Sequence, residues 1–487
     1  MPGFLVNFAA SIAHAVAPRL VSKLAINHFA NSTSPRPRPY SLWSLKDGEI
    51  CDYVSWPSLT DRTFSGRHLR AAPKSFIDGL PVDTPYESTE THGQVTALFK
   101  RTEKSDCPRS SLLFPFFAQW FTDSFLRTHP LDRRKNTSNH EIDLCQIYGL
   151  TEKTTNMLRT KTGGKLRSQS IEAEEYPDDL FDETGEIKSV YRELPYVTDG
   201  RLMVILNKFG DPENRKKNYF AAGLERGNSS VGYTAISTLF LREHNRLCDK
   251  LFAQNPDWDD ERLFQTARNI NIVLLLKIVI EDYINHISPI ETPVILVDTS
   301  FPGKQDWYRT NWMAIEFDLL YRWHGLIPDT MEFGGKVYLP PEFLLNNSVL
   351  IEHGVGGIID GGSRQKASRV SLHNTPDFLL GAEYAAIKMG RDYCLRSFNE
   401  YRARFKLGKI DDFDDLTSDK DLRTELKRLY GDIDNLEFFV GLFAEEAGDG
   451  SLFGDLTSRM VASDAFTQAL TNPLLATQIF NEGTFTE

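Results

Sequence analysis

Apolar side chains recur along this chain mostly at the three-and-four spacing of an amphipathic helix, and seldom at the alternation of a strand. Between Phe116 and Thr128 they keep helical spacing, with Pro115 suited to the helix start. Ile236, Phe240, Leu247 and Leu251 form one stripe on a helix running through about Asp249. Glu261 to Ile287 reads as a long, largely buried helix ended near Pro289, and Trp312 to His324 as another, ended before Pro328. Residues 376–406 and 420–430 are also predicted helical, and the acidic stretch Asp411 to Asp421 is a solvated loop and helix start. Strand signals are few and short, and no internal repeat or Gly-rich phosphate loop is found. The pattern predicts a mainly α fold.

The first 40 residues stand apart. Phe4, Leu5, Phe8, Ile12, Val16, Leu20, Leu24 and Ile26 recur at helical spacing, with Arg19, Lys23 and His28 among them. This fits amphipathic helices lying on a membrane surface, or equally a helix packed on the main domain. Ser34 to Pro39 forces extended backbone and reads as a linker. The expected organisation is a segment over 1–40 and a catalytic domain over 41–487. The longest apolar run, Ile272 to Ile280, contains Lys277 and falls short of the ~20 residues a membrane span requires. No basic stretch of a secretory signal opens the chain, so a cytoplasmic or peripheral-membrane location is expected.

Composition narrows the classes. With 41% hydrophobic and 25% charged residues over 487 positions, the chain can bury a large core. A net charge of −12 argues against nucleic acid as a partner. Cys51, Cys107, Cys145, Cys248 and Cys394 are scattered, with no CxxC pair, which disfavours both a zinc ribbon and a disulfide framework. The sequons at Asn31, Asn136 and Asn346 are short enough to arise by chance.

The candidate chemistry lies at Tyr321-Arg322-Trp323-His324-Gly325. On one helix, Tyr321 and His324 would be neighbours on one face, an oxidisable phenol beside a candidate iron ligand. Taken alone, such a pair is ordinary packing, and its companions decide.

Leu241-Arg242-Glu243-His244-Asn245-Arg246 closely resembles a signature of animal-type haem peroxidases. Phe117-Ala118-Gln119-Trp120-Phe121-Thr122 resembles the distal helix of prostaglandin H synthases (cyclooxygenases), and Glu316 to His324 their proximal segment. Lys277 to Tyr283, Ser397 to Arg402 and Leu429 to Asp434 are similar to further cyclooxygenase segments, so the resemblance runs from about residue 50 to the C-terminus. It implies a haem peroxidase-like helical domain with His324 as proximal iron ligand and Tyr321 as the tyrosine that becomes a radical. It also implies Gln119 as a distal glutamine, Tyr283 as a cavity-lining tyrosine, and Arg226 as either a distal arginine or a structural ion-pair member. His244 is read as structural.

Departures from the resembled pattern matter as much. The distal histidine position holds Asp123, either a carboxylate acid–base group for peroxide or a mark of weakened peroxidase activity. Ser229 and Thr122 stand where related peroxidases tie haem by esters, so haem b is expected to be non-covalent. In the expected substrate channel, Ile290 replaces a carboxylate-holding tyrosine, Ala465 an acetylatable serine and Val461 a glycine. Phe439 replaces a tyrosine, and near His28 no carboxylate anchor can be assigned. The expectation is a haem-dependent fatty-acid oxygenase acting on an unsaturated fatty acid and dioxygen through Tyr321, with a homodimer implied by the resemblance. The alternatives are a peroxidase or peroxygenase using Asp123, and a non-catalytic haem-binding protein.

Overall fold

The computed structural model describes residues 16–31, 55–84, 94–288, 293–297, 300–305, 308, 311–448 and 450–484. The expected linker at 34–39, Cys51 and Ile290 lie outside these residues, as does the N-terminal part of the amphipathic segment. The architecture is helical. Eleven elements carry the argument: α1 (Pro18–Asn31), α2 (Leu113–Thr122), α3 (Val231–Gln254), α4 (Asp260–Ile278), α5 (Ile315–Leu320), α6 (Ser348–Arg364), α7 (Leu380–Asp392), α8 (Phe398–Arg404), α9 (Lys420–Tyr430), α10 (Phe438–Ala444) and α11 (Asp455–Leu470). Strands are confined to three short antiparallel pairs, Asp106–Ser111 with Lys366–Ser368, Ser168–Ile171 with Glu174–Pro177, and Met331–Phe333 with Lys336–Tyr338.

The central element is α3. The Ser230 hydroxyl caps its first turn by accepting from the Tyr233 N–H. Its buried residues pack against α2, α4 and α6. Gly232 allows the crossing with α2, because a Cβ there would sit 2.1 Å from Phe116 Cγ. The expected stripe on this helix is present, and the helix extends past Asp249 to Gln254.

The long apolar helix is also present, capped by Asp259, whose side chain accepts from the Arg262 N–H. It runs through a π turn at Val279–Ile284 and a final turn at Asn285–Ile287. By length and composition Asp260–Ile287 could cross a bilayer, but 56% of its apolar window is buried inside the fold, as a core helix requires. In α9 the expected bounds are met, with Asp419 as the cap, and the acidic stretch before it is loop and short turn.

Three helix expectations need correction. Residues 312–314 do not begin α5, because Gly66 pairs across Ala314, exchanging bonds with Met313 and Ile315. At its other end, α5 stops at Leu320; Tyr321 has ψ 21 and Trp323 ψ 50, and a separate 3₁₀ turn starts at His324. Tyr321 and His324 therefore do not share a helix. Beyond this point the segment is held from outside, with Arg101 Nη2 donating to Ile327 O at 2.8 Å and Gly325 O at 3.3 Å. The helix expected over 116–128 spans Leu113–Thr122, with Pro115 in the first turn where its missing N–H costs nothing. Residues 376–406 split into α7 and α8, separated by Cys394 at φ 50.

The N-terminal α1 settles against α11, with Ser22, Ile26 and Ala30 buried. Its other side carries Val16, Leu20 and Leu24, exposed at 81%, 58% and 63%. The four described cysteines, Cys107, Cys145, Cys248 and Cys394, are free, and Asn136 of one sequon is buried.

Gly232→Ala is expected to cost about 1–3 kcal/mol by overpacking against Phe116. Gly381, with open space at its Cβ position on α7, should tolerate Ala at no cost or a slight gain. Thermal unfolding of the two variants checks the contrast.

Candidate active site

Between the α2 face and the segment 321–327 lies a cavity of about 220 Å³. Gln119, Thr122, Arg226 and Ser230 line it from α2 and the approach to α3, and Tyr321, Arg322, Trp323 and His324 from the segment after α5. Four expected site residues, Tyr321, His324, Gln119 and Arg226, are thus brought together on one cavity.

His324 presents its ring to this space with Nδ1 turned to Glu383 of α7, 3.2 Å from Oε1. The contact is close enough for charge pairing but lies off hydrogen-bond geometry, and Oε1 accepts from Thr375 Oγ1 at 2.9 Å. Glu383 is fully buried, so its carboxylate fixes which edge of the imidazole faces inward and leaves Nε2 for the cavity. Among the described residues no group of three His, Cys, Asp or Glu side chains could hold a metal ion. A lone imidazole backed by a carboxylate fits an iron whose other ligands come from a porphyrin, and so the residues present fit haem.

Tyr321 lines the same cavity, and its ring is enclosed. Its centroid is 4.4 Å from Trp323 and 4.7 Å from Phe317, and Trp323 in turn stacks 4.4 Å from Phe453. Tyr283, from the π turn of α4, lies beside it and is packed by Phe114, Phe117 and Phe121. Burial pushes both phenols above their ordinary range, so each remains neutral. Tyr283 borders neither this cavity nor a second one beside α11.

Opposite His324, the Gln119 Oε1 accepts from Ser230 Oγ at 3.1 Å. Asp123 does not border the cavity. At 1% exposure it caps the end of α2 from behind, Oδ1 accepting from Arg226 Nη1 at 3.0 Å and Oδ2 from the Tyr233 hydroxyl at 2.9 Å. Burial pushes its carboxyl up, with Arg226 and Arg127 pulling back. The residue expected as a distal acid–base group is therefore committed to Arg226. The arginine, 46% exposed, carries the charge at the cavity. Arg226 is an ion-pair member that also lines the cavity.

The remaining expected positions disperse. Val461 lines the second cavity, Ala465 is buried in α11 and borders neither, and Phe439 is core, 5.4 Å from Phe99. His244 is remote from the site. Its Nε2–H donates to Gly164 O and its Nδ1 accepts from the Tyr148 hydroxyl, both at 2.9 Å. Glu383, Trp323 and the Arg322–Asp318–Thr128 cluster on the cavity wall were not anticipated. Glu383 lies 59 positions after His324 within a predicted helix, where nothing local distinguishes it from a surface acid.

A model of the animal haem peroxidase family matches residues 18–470. The chain belongs to that family. It is 34% identical over 438 residues to prostaglandin G/H synthase 1 of Rattus norvegicus, covering 89% of this chain and 69% of that protein. Prostaglandin G/H synthase 2 of Gallus gallus is 35% identical over 440 residues, with the same coverage of 89% and 69%. In fold it resembles the fatty acid alpha-dioxygenase of Oryza sativa, with a TM-score of 0.69 at 18% identity over 97% of this chain and 87% of that one. Peroxidase A of Dictyostelium discoideum follows at a TM-score of 0.62 and 17% identity over 92% and 95%. Members of this family bind haem, which agrees with the donor set around His324.

Two outcomes are expected. Asp123→Ala strands Arg226 and the Tyr233 hydroxyl and should cost about 1–3 kcal/mol, less than a fully buried pair because Arg226 is half exposed; denaturant unfolding measures this. Burial lowers the His244 imidazole to about 4, against about 6.5 unfolded. Its contribution to stability is thus complete above pH 6.5 and lost as pH falls from there through 4. A melting-temperature profile of His244→Gln should be flatter over that window than that of the wild type.

Proposed function

We propose that this protein is a haem-dependent fatty-acid oxygenase that works through a radical on Tyr321. The observation that carries the reading is the placement of Tyr321, which lines the His324 cavity while its ring packs against Phe317 and Trp323. His324 would hold the iron through Nε2, with Glu383 fixing the ring. With hydroxyls rather than carboxylates at Thr122 and Ser229, the haem would be non-covalent haem b. Bound haem would supply one-electron oxidation driven by peroxide.

The chain's own residues do the rest. Arg226, held by Asp123, and the Gln119 amide face the distal side, where a charged donor favours negative charge developing on a departing oxygen. Tyr321 would lose one electron and its phenolic proton to the peroxide-derived oxidant that bound haem would supply, while the neighbouring Tyr283 keeps its own proton. The Tyr321 oxygen then takes a hydrogen atom from an unsaturated fatty acid, re-forming the O–H bond and leaving a carbon radical. Dioxygen adds to that carbon, and return of a hydrogen atom from Tyr321 gives the hydroperoxide and restores the radical. The net change is one O₂ inserted at one C–H bond. The names of the relatives and of the structural neighbours support this reading.

The exposed Val16, Leu20 and Leu24, with Arg19 and Lys23 on the same helix, support attachment of α1 to a membrane surface. A peroxidase is the second reading, favoured by Arg226 and Gln119 on the cavity, with Arg226 rather than Asp123 as its distal group.

Oxygen consumption by the haemin-loaded protein with linoleate and a trace of hydroperoxide should fall by roughly 100-fold or more in Tyr321→Phe. Equal uptake by both forms contradicts the radical role. Peroxide turnover in both without oxygen uptake makes the protein a peroxidase instead.

A further inference from the structure

Ionisable groups are unevenly disposed around the His324 cavity. On the wall opposite His324 stand Gln119, Thr122, Arg226 and Ser230, and none of these side chains takes a proton near neutral pH. The Thr122 hydroxyl donates to Gln119 O and the Ser230 hydroxyl to Gln119 Oε1, which leaves the amide Nε2–H groups for the cavity. Arg226 gives Nη1 to Asp123 and is half exposed on the cavity. The acids behind this wall are engaged. Asp123 is buried, with one oxygen on Arg226 and the other on the Tyr233 hydroxyl. Glu225, despite its burial, is drawn down to about 2 by Arg127 and Arg201. Asp318 does line the cavity, but it stands on α5 beside the His324 segment, accepting from Arg322 at 2.7 Å and from the Thr128 hydroxyl. Tyr321, on the same side, is kept neutral by burial.

A general base contributes about 10²–10⁴-fold where a neutral peroxide must shed a proton to react. No side chain on the wall opposite His324 supplies that, and none returns a proton to the departing oxygen. What the wall offers is a positive charge and amide donors, a receptor for an anion. We propose that the cavity takes its oxidant as a peroxide already ionised in solution, best a peroxycarboxylate, which Arg226 and the Gln119 amide receive in place of a protein base. This rests on haem held by His324 and is common to the oxygenase and peroxidase readings. No proton from the protein is needed. The O–O bond of the peroxycarboxylate breaks, one oxygen atom passes to the bound haem, which gives up two electrons, and the other leaves in the carboxylate. Hydrogen peroxide is worse served on both counts, as a weaker acid whose leaving group is hydroxide. Arg226 stays charged beside Asp123, so the pH dependence belongs to the peroxide, whose reactive anion grows as pH rises.

Stopped-flow absorbance of the haemin-loaded full chain, mixed with one oxidant and no fatty acid, tests this apart from the role of Tyr321. With hydrogen peroxide the haem spectrum should change at a rate that climbs roughly tenfold per pH unit over about pH 6–8, and with peracetic acid roughly 100-fold faster at about pH 7. Cyanide, which binds iron as an anion and is not turned over, should bind with the same upward slope. Arg226→Gln should slow both peracetic acid and cyanide by roughly 10–100-fold, and Arg226→Lys should recover part of the loss, which a packing defect would not. Asp123→Asn should keep the slope. A hydrogen peroxide rate that is flat with pH in wild type and steep in Asp123→Asn overturns the proposal and makes Asp123 the base. Peracetic acid no faster than hydrogen peroxide, or no reaction with either, also overturns it. A steep, Arg226-dependent reaction without oxygen uptake on linoleate leaves the anionic oxidant standing and removes the oxygenase reading.

Discussion

The Arg101 guanidinium holds the non-helical stretch on which the site is built. Its side chain is 7% exposed and reaches the carbonyls of Gly325, Ile327 and Asn374 and the Asp329 carboxylate. Hydrogen bonds from a charged donor contribute more than neutral ones, and Arg101 places several on this one segment. The same grip ties the His324 segment to Asn374, whose neighbour Thr375 bonds Glu383. With regular helix ending at Leu320, Tyr321 and His324 have different surroundings. One ring enters an aromatic cage, and the other stands between a buried carboxylate and open space.

Charge is distributed around the cavity in the same manner, each group fixed by another behind it. Asp123 holds Arg226, and Tyr233 holds Asp123. Glu225, drawn down to about 2 by Arg127 and Arg201 despite its burial, closes the next layer. The members are linked in series, so a change at one alters the charge felt by the next. The short carboxylate at position 123 is buried behind the cavity and bonds the arginine that lines it.

Much of the scaffold was legible in the sequence. The apolar periods locate α3, α4 and α9, because those helices bury one face against the core and are capped by local residues such as Ser230, Asp259 and Asp419. Family-like segments bring Gln119, Arg226, Tyr321 and His324 to one cavity. Legibility ends where distant groups hold the backbone: Gly66 pairs with the residues before α5, and Arg101 holds the segment after it. Glu383 was likewise invisible, since a single charged residue in a helix reads as surface until its neighbours are known. The surroundings of Asp123 were not legible, because its partners Arg226 and Tyr233 lie over 100 residues away.

Electron paramagnetic resonance of the haemin-loaded protein, frozen after mixing with peroxide, tests the radical on Tyr321 most directly. The account predicts a tyrosyl signal that narrows with ring-deuterated tyrosine, is lost in Tyr321→Phe, and gives way to a carbon-centred signal when linoleate is added without oxygen. A tyrosyl signal of unchanged shape and yield in Tyr321→Phe would contradict it.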